Sequence, residues 1–288
     1  MRIQEYKSAR TFLEAYEALL LEKETASQLL LYVAWQNSQL EETEKNIFGA
    51  VIEETDTILL FCNIVPYDLL IYTVKQENTT LASAALADYF GSRLIIIHGI
   101  VAEQIVCQGF MEQYKKHIDC GFTQKMGMDI LELRELIELK PAEGTYRPAL
   151  PEEAKLVAEW MIEFQVEALT SEIDYEAALQ KAEKQIKEGK IHFYENEERK
   201  VVSMAIAARK LAHGTTITYI YTPEEYRGKG FAAANIYYLS KELLAQENEF
   251  CSLFVDKQNP LSARAYEKIG YKIIGACYEY TAIPLDKP

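Results

Sequence analysis

The sequence predicts a mixed α/β fold, a central mixed sheet flanked by helices, built as two domains. Three observations predict it. Apolar residues at helical period alternate along the 288 residues with short β-branched and aromatic runs. The polar stretch Lys140-Pro141-Ala142-Glu143-Gly144 has the Pro and Gly of a linker, dividing the chain into 1–140 and 145–288. Residues 216–222 read as a strand that Pro223 ends, and Arg227-Gly228-Lys229-Gly230 then opens a run of helix formers reaching Gln246.

In the first domain, residues 8–36 carry a helical period through Phe12, Leu13, Tyr16, Leu19, Leu20, Leu29, Leu30 and Val33, with a polar break at 22–27 that splits it in two. Strands are expected at 48–52 and 57–65, joined by Glu53-Glu54-Thr55-Asp56, and a third at 69–74. A helix at 80–89, a short β-rich run at 93–97 and a helix at 102–117 follow. Residues 128–133 fit either a last strand or a helix start.

In the second domain, 145–150 reads as a strand. Pro151-Glu152-Glu153 then opens an amphipathic helix through Leu156, Val157, Trp160, Met161 and Phe164, with Pro and acids in the first turn. A second helix covers 175–190. A hairpin pairs 191–194 with 201–211 across the turn 195–199. Beyond the strand and glycine turn come a helix at 231–246, a strand at 251–255, a helix from Pro260, and a last strand pair at 271–274 and 277–283.

The turn at 227–230 has three readings. Two glycines before a helix can be a tight turn and nothing more. Gly228-Lys229-Gly230-Phe231-Ala232-Ala233 also satisfies the dinucleotide pattern G-x-G-x-x-A, with Asp256 as the ribose-binding acid. Against that, five residues separate the glycine from the strand, which alternates Thr with Ile and Tyr. No Walker-type loop is present. The third reading is a pyrophosphate seat for coenzyme A: backbone N–H groups and the helix N-terminus converge there, and Arg227 and Lys229 add whole charges.

Arg227-Gly228-Lys229-Gly230-Phe231-Ala232 matches Q/R-x-x-G-x-G/A, and in this it resembles the GNAT N-acetyltransferase superfamily. Residues 253–271, with Asn259-Pro260, Tyr266 and Gly270-Tyr271, resemble that superfamily's second motif. The resemblance covers 145–283. It implies the GNAT acyl-CoA N-acyltransferase fold and transfer of an acetyl group from acetyl-CoA to a primary amine by direct attack. It further implies that Ile220, Tyr221 and Thr222 offer backbone groups to the pantetheine arm, Arg227 to Ala232 hold the pyrophosphate, Asn259 contacts the coenzyme, and Tyr266 protonates the leaving thiolate. No base is nominated. Some members of the family carry a glutamate on the strand equivalent to 216–222, this sequence has none there, and Glu163, Glu167 and Asp256 are candidates to replace it. The alternative is a coenzyme A-binding regulatory or interaction protein without turnover.

The first domain echoes the same order without an arginine-glycine turn; Phe90-Gly91-Ser92-Arg93 is the nearest approach. A degenerate GNAT-like half that binds no coenzyme and an unrelated α+β domain both fit. A net charge of −14 and a pI near 4.9 argue against nucleic acid or an anionic membrane as the main partner, and lean toward a cationic acceptor such as an amine. The five scattered cysteines form no C-x-x-C or Cys/His cluster, so buried free thiols, no metal and a cytoplasmic location are expected. The four histidines show no carboxylate partner in the sequence.

Overall fold

The computed structural model describes residues 1–40, 46–169 and 173–284. Residues 285–288, the end of the expected second domain, lie outside them. One element order runs twice along the chain. The first pass is β1 (Arg2–Tyr6), α1 (Ala9–Leu21), α2 (Glu24–Ser38), β2 (Ile47–Glu53), β3 (Asp56–Asn63), β4 (Leu69–Thr73), α3 (Thr79–Ser92), β5 (Gly99–Ala102), α4 (Gln104–Tyr114) and β6 (Cys120–Leu133). The second is β7 (Thr145–Pro148), α5 (Ala154–Leu169), α6 (Tyr175–Lys187), β8 (Ile191–Glu195), β9 (Val201–Lys210), β10 (Gly214–Tyr221), α7 (Phe231–Ala245), β11 (Phe250–Asp256), α8 (Pro260–Ile269) and β12 (Lys272–Pro284).

The chain packs as two compact units, Met1–Met128 with Gly275–Pro288, and Asp129–Ile274. The first unit's sheet runs β1-β2-β3-β4-β5-β12, antiparallel except for β4 beside β5. The second runs β7-β8-β9-β10-β11-β6, with β10 parallel to β11. The closing strand of each sheet therefore comes from the other pass: residues 275–284 of β12 in one, 129–133 of β6 in the other. The expected linker 140–144 is irregular, but the division falls within β6 and β12. Pro and Gly end regular hydrogen bonding without ending packing: the Tyr194 hydroxyl donates to the Ala142 carbonyl at 2.5 Å.

Each sheet is covered on both faces, so its strands read as continuous apolar runs. Along β3, Leu59 and Phe61 face the cluster of Leu86, Phe90, Val106 and Phe110, while Leu60 and Cys62 face that of Phe12, Leu20 and Leu31. Along β9, Met204 and Ile206 meet Trp160 and Phe193, and Ala205 meets Ile236 and Leu253. Local chemistry sets the helix ends. Ser8 caps α1 by accepting from the Thr11 N–H at 3.3 Å. Asp174 does the same for α6 from Ala177, at 3.2 Å.

Two expectations are corrected, and one strand is added to them. Residues 93–97 form no strand: Leu94 sits at φ +54°, which breaks the extended run, and Ile97 packs into the core without a ladder partner of its own, the strand coming at β5. The expected pair at 271–274 and 277–283 is one strand of 13 residues, because Gly275 passes through extended. The N-terminal β1, too short to show a pattern, pairs with β2 from Arg2↔Ile52 to Tyr6↔Phe48. The ambiguous 128–133 is the end of β6.

Candidate active site

β10 and β11 pair over three residues only, Gly214↔Phe250, Thr215↔Cys251 and Thr216↔Ser252. Beyond that point β10 stays paired with β9, and its other edge is open inside the sheet. A bulge accompanies the parting: Thr218 faces Ile206 and Tyr221 faces Met204, so three steps along β10 match two along β9. The extra residue is absorbed at Tyr219, with φ +49°. It also resets the side-chain alternation. Ile217 and Ile220 turn to the cluster under α7 and α8, while Tyr219 and Tyr221 both turn to the cluster under α5 and α6.

The glycine turn closes the open end. Gly228 has φ +76° and Gly230, the residue before α7, φ +84°, a conformation in which a Cβ is strained. A Cβ at Gly228 would meet nothing within 4 Å, and one at Gly230 only Ala142, at 3.7 Å. The space over the turn is thus open, as a phosphate seat requires. The first bond within α7 runs from the Ala234 N–H to the Gly230 carbonyl at 2.9 Å, and the N–H groups before it have no helical partner. Both cations of the turn already have partners within the protein. The Arg227 Nε donates to the Thr222 carbonyl at 2.8 Å and its guanidinium pairs with Glu167. The Lys229 Nζ donates to the Glu225 carbonyl at 3.0 Å. The Thr222 hydroxyl oxygen is buried with no hydrogen-bond partner.

Asn259 caps α8, its Oδ1 accepting from the Ser262 N–H at 3.2 Å, and Pro260 follows as the first helical residue. Asp256 accepts from the Gln258 N–H at 2.9 Å and so orders the loop into that cap. Tyr266 is buried in one apolar cluster with Ile217 of β10 and Leu253 and Val255 of β11, the two strands that part. Burial pushes its phenol pKa above the ordinary value, and the Ser262 hydroxyl opposes this.

Glu163 and Glu167 of α5 both reach the Tyr221 hydroxyl, Glu167 at 3.3 Å. Burial and these two carboxylates push the Tyr221 phenol up. Lys181 and Gln165, which no sequence motif marks, converge on the Tyr219 hydroxyl at 2.9 and 2.7 Å. His117 and His192 do have carboxylates nearby. His117 pairs with Asp88 at 2.7 Å on the surface. His192 is buried, with Nδ1 2.7 Å from the Tyr146 hydroxyl, which in turn donates to Glu242 at 2.7 Å. Burial lowers the His192 pKa and Glu242 resists that. These partners are 29 to 96 positions apart, a distance no local motif spans. All five cysteines are buried and none is in a disulfide, and burial pushes the Cys107 and Cys251 thiols up to about 12. Among the described residues no helix is long and apolar enough to cross a membrane, and no group of three or more His, Cys, Asp or Glu is placed to hold a metal ion.

A family model described as "Acetyltransferase (GNAT) family" matches residues 154–271, which contain the bulge, the parted strands, the glycine turn and Tyr266. This stretch is a GNAT acetyltransferase domain. The GNAT fold extends over the whole chain. A tandem GNAT protein from the clavulanic acid biosynthesis pathway, solved without AcCoA, aligns over 100% of both chains at 10% identity and a TM-score of 0.54. A GNAT-family acetyltransferase from Colwellia psychrerythraea covers 98% of this chain and all of its own at 12% identity, with a TM-score of 0.54. A GCN5-related N-acetyltransferase from Sphaerobacter thermophilus covers 90% and 86% at 12% identity, with a TM-score of 0.59. No curated protein matches. The GNAT family implies an acyl-CoA-dependent N-acyltransferase acting on an amine.

Proposed function

We propose that the protein transfers an acetyl group from acetyl-CoA to a primary amine, on a small molecule or a protein, in the cytoplasm. The observation that carries this is the parting of β10 from β11 after three residues, with the glycine turn and the α7 N-terminus at its end. The pantetheine arm lies along the open edge of β10, bonding to backbone groups of Ile220, Tyr221 and Thr222 like an added strand. The pyrophosphate sits on the N–H groups of 228–232, where the helix end contributes about half a unit of positive charge.

The amine nitrogen, neutral when it attacks, adds to the thioester carbonyl. The C–S bond breaks, the thiolate takes the Tyr266 proton, and the amide nitrogen loses its extra proton to solvent or to a carboxylate of α5. Holding both reactants on one edge supplies most of the acceleration, and the thiolate needs only modest acid help. A coenzyme-binding protein without turnover is the second reading, favoured by the lack of any carboxylate on β10. Thiol release from acetyl-CoA across a panel of primary amines decides between them. Amine-dependent release supports transfer, and tight coenzyme binding with no release by any amine favours the second reading.

A further inference from the structure

Lys181 of α6 is half-buried, with its ammonium 4.4 Å from the centroid of the Tyr219 ring and 2.9 Å from that hydroxyl. Among the described residues no carboxylate pairs with it. A partly buried ammonium without a counter-charge is costly, and an anion binding beside it removes that cost. Gln165 donates to the same hydroxyl at 2.7 Å. A phenol oxygen that accepts two hydrogen bonds still has its own proton to give, and the ammonium has N–H groups beyond the one aimed at Tyr219. This spot therefore offers donors.

Tyr221, two residues on, has the opposite neighbours. Its hydroxyl meets Glu163 and Glu167, groups that only accept. Glu167 already pairs with Arg227, whereas Glu163 is exposed and, among the described residues, pairs with no cation. The bulge puts both rings on the α5 side of β10, along the stretch that has left β11. An unneutralised cation and an unneutralised anion thus flank one short piece of the open strand.

We propose that this is the acceptor subsite and that the acceptor is an amino acid, an amine that also carries a carboxylate. Lys181 and the Tyr219 hydroxyl hold the carboxylate, and Glu163 pairs with the ammonium, which gives a proton to solvent before the neutral nitrogen attacks. The assignment of an acceptor rests on the acyl-transfer reading. The test compares thiol release, at saturating acetyl-CoA, for glycine, β-alanine and 4-aminobutyrate against methylamine, ethylamine and propylamine, each amino acid without its carboxylate.

At least one amino acid is expected to exceed its amine tenfold or more in kcat/KM. Lys181→Met is expected to erase that ratio through KM while leaving coenzyme affinity unchanged, and Lys181→Arg to keep most of it. Matching melting curves establish that both variants fold. Plain amines serving as well as amino acids, or a ratio unmoved by Lys181→Met, overturn the proposal. If no amine releases thiol, calorimetric titration with the same six compounds separates the two readings. Amino-acid binding that Lys181→Met abolishes keeps the subsite and removes acyl transfer; no binding by any amino acid overturns the subsite.

Discussion

At Tyr266 burial holds the phenol proton in place at neutral pH, so the hydroxyl has a proton to give and a low-dielectric site to give it in. Tyr266→Phe keeps the ring and its edge contact with Tyr271 at 6.2 Å. We expect it to lower kcat by roughly tenfold to a hundredfold, with coenzyme affinity unchanged, in a thiol-release assay. An unchanged kcat would leave Tyr266 as a core ring only. His192 makes a prediction about stability instead. Its folded pKa is lowered by burial, so below the ordinary imidazole value of about 6.5 the unfolded chain takes up a proton that the folded protein resists. Stability then falls as pH drops from about 6.5 toward the lowered value, by at most about 1.4 kcal/mol per pH unit for one proton. Urea melts between pH 7.5 and 5 should show a shallower loss in His192→Gln, and equal slopes would count against this assignment.

Among the elements, α8 separates a structural from a binding role most cleanly. Asn259 uses Oδ1 on the Ser262 N–H, which leaves its amide N–H₂ as the group able to meet the coenzyme. Asn259→Ala should cost about 1 kcal/mol in thermal or urea melts. Asn259→Asp should keep the cap and yet weaken coenzyme binding several-fold by calorimetry; unchanged affinity would limit Asn259 to capping. This helix start was legible in the sequence because Asn-Pro writes its cap and first turn into adjacent residues. The glycine turn was legible for the same reason, since its positive φ values demand glycine where the motif has it. The bulge was not. A tyrosine at φ +49° carries no local signal, and it decides that Tyr219 and Tyr221 face α5 rather than the side that Ile217 faces. The partners of those hydroxyls, Lys181 and Glu167, come from other elements and could be found only once the strand was packed.

For the molecule as a whole, most of the element order was readable in both halves, with β1 missed and β12 divided in two, but the exchange of closing strands was not. An apolar run such as 128–133 shows that it will be buried and says nothing about which sheet takes it. Since 129–133 of β6 supply Leu131 and Leu133 to the second unit's core beside Leu253 and Val255, a fragment cut at the sequence-predicted linker loses a strand. We expect residues 120–274 to melt cooperatively and elute as a single species. Residues 145–274, with an edge of β11 uncovered, should aggregate or melt broadly; equal behaviour of the two fragments would contradict the strand exchange. The most direct test of the central claim, a coenzyme seat formed where β10 leaves β11, is calorimetric titration with acetyl-CoA of the whole protein and of a Gly228→Glu, Gly230→Glu double variant. Binding by the wild type that is lost in a variant with unchanged circular dichroism is the predicted result. No binding by the folded wild type, or equal binding by both, would contradict it.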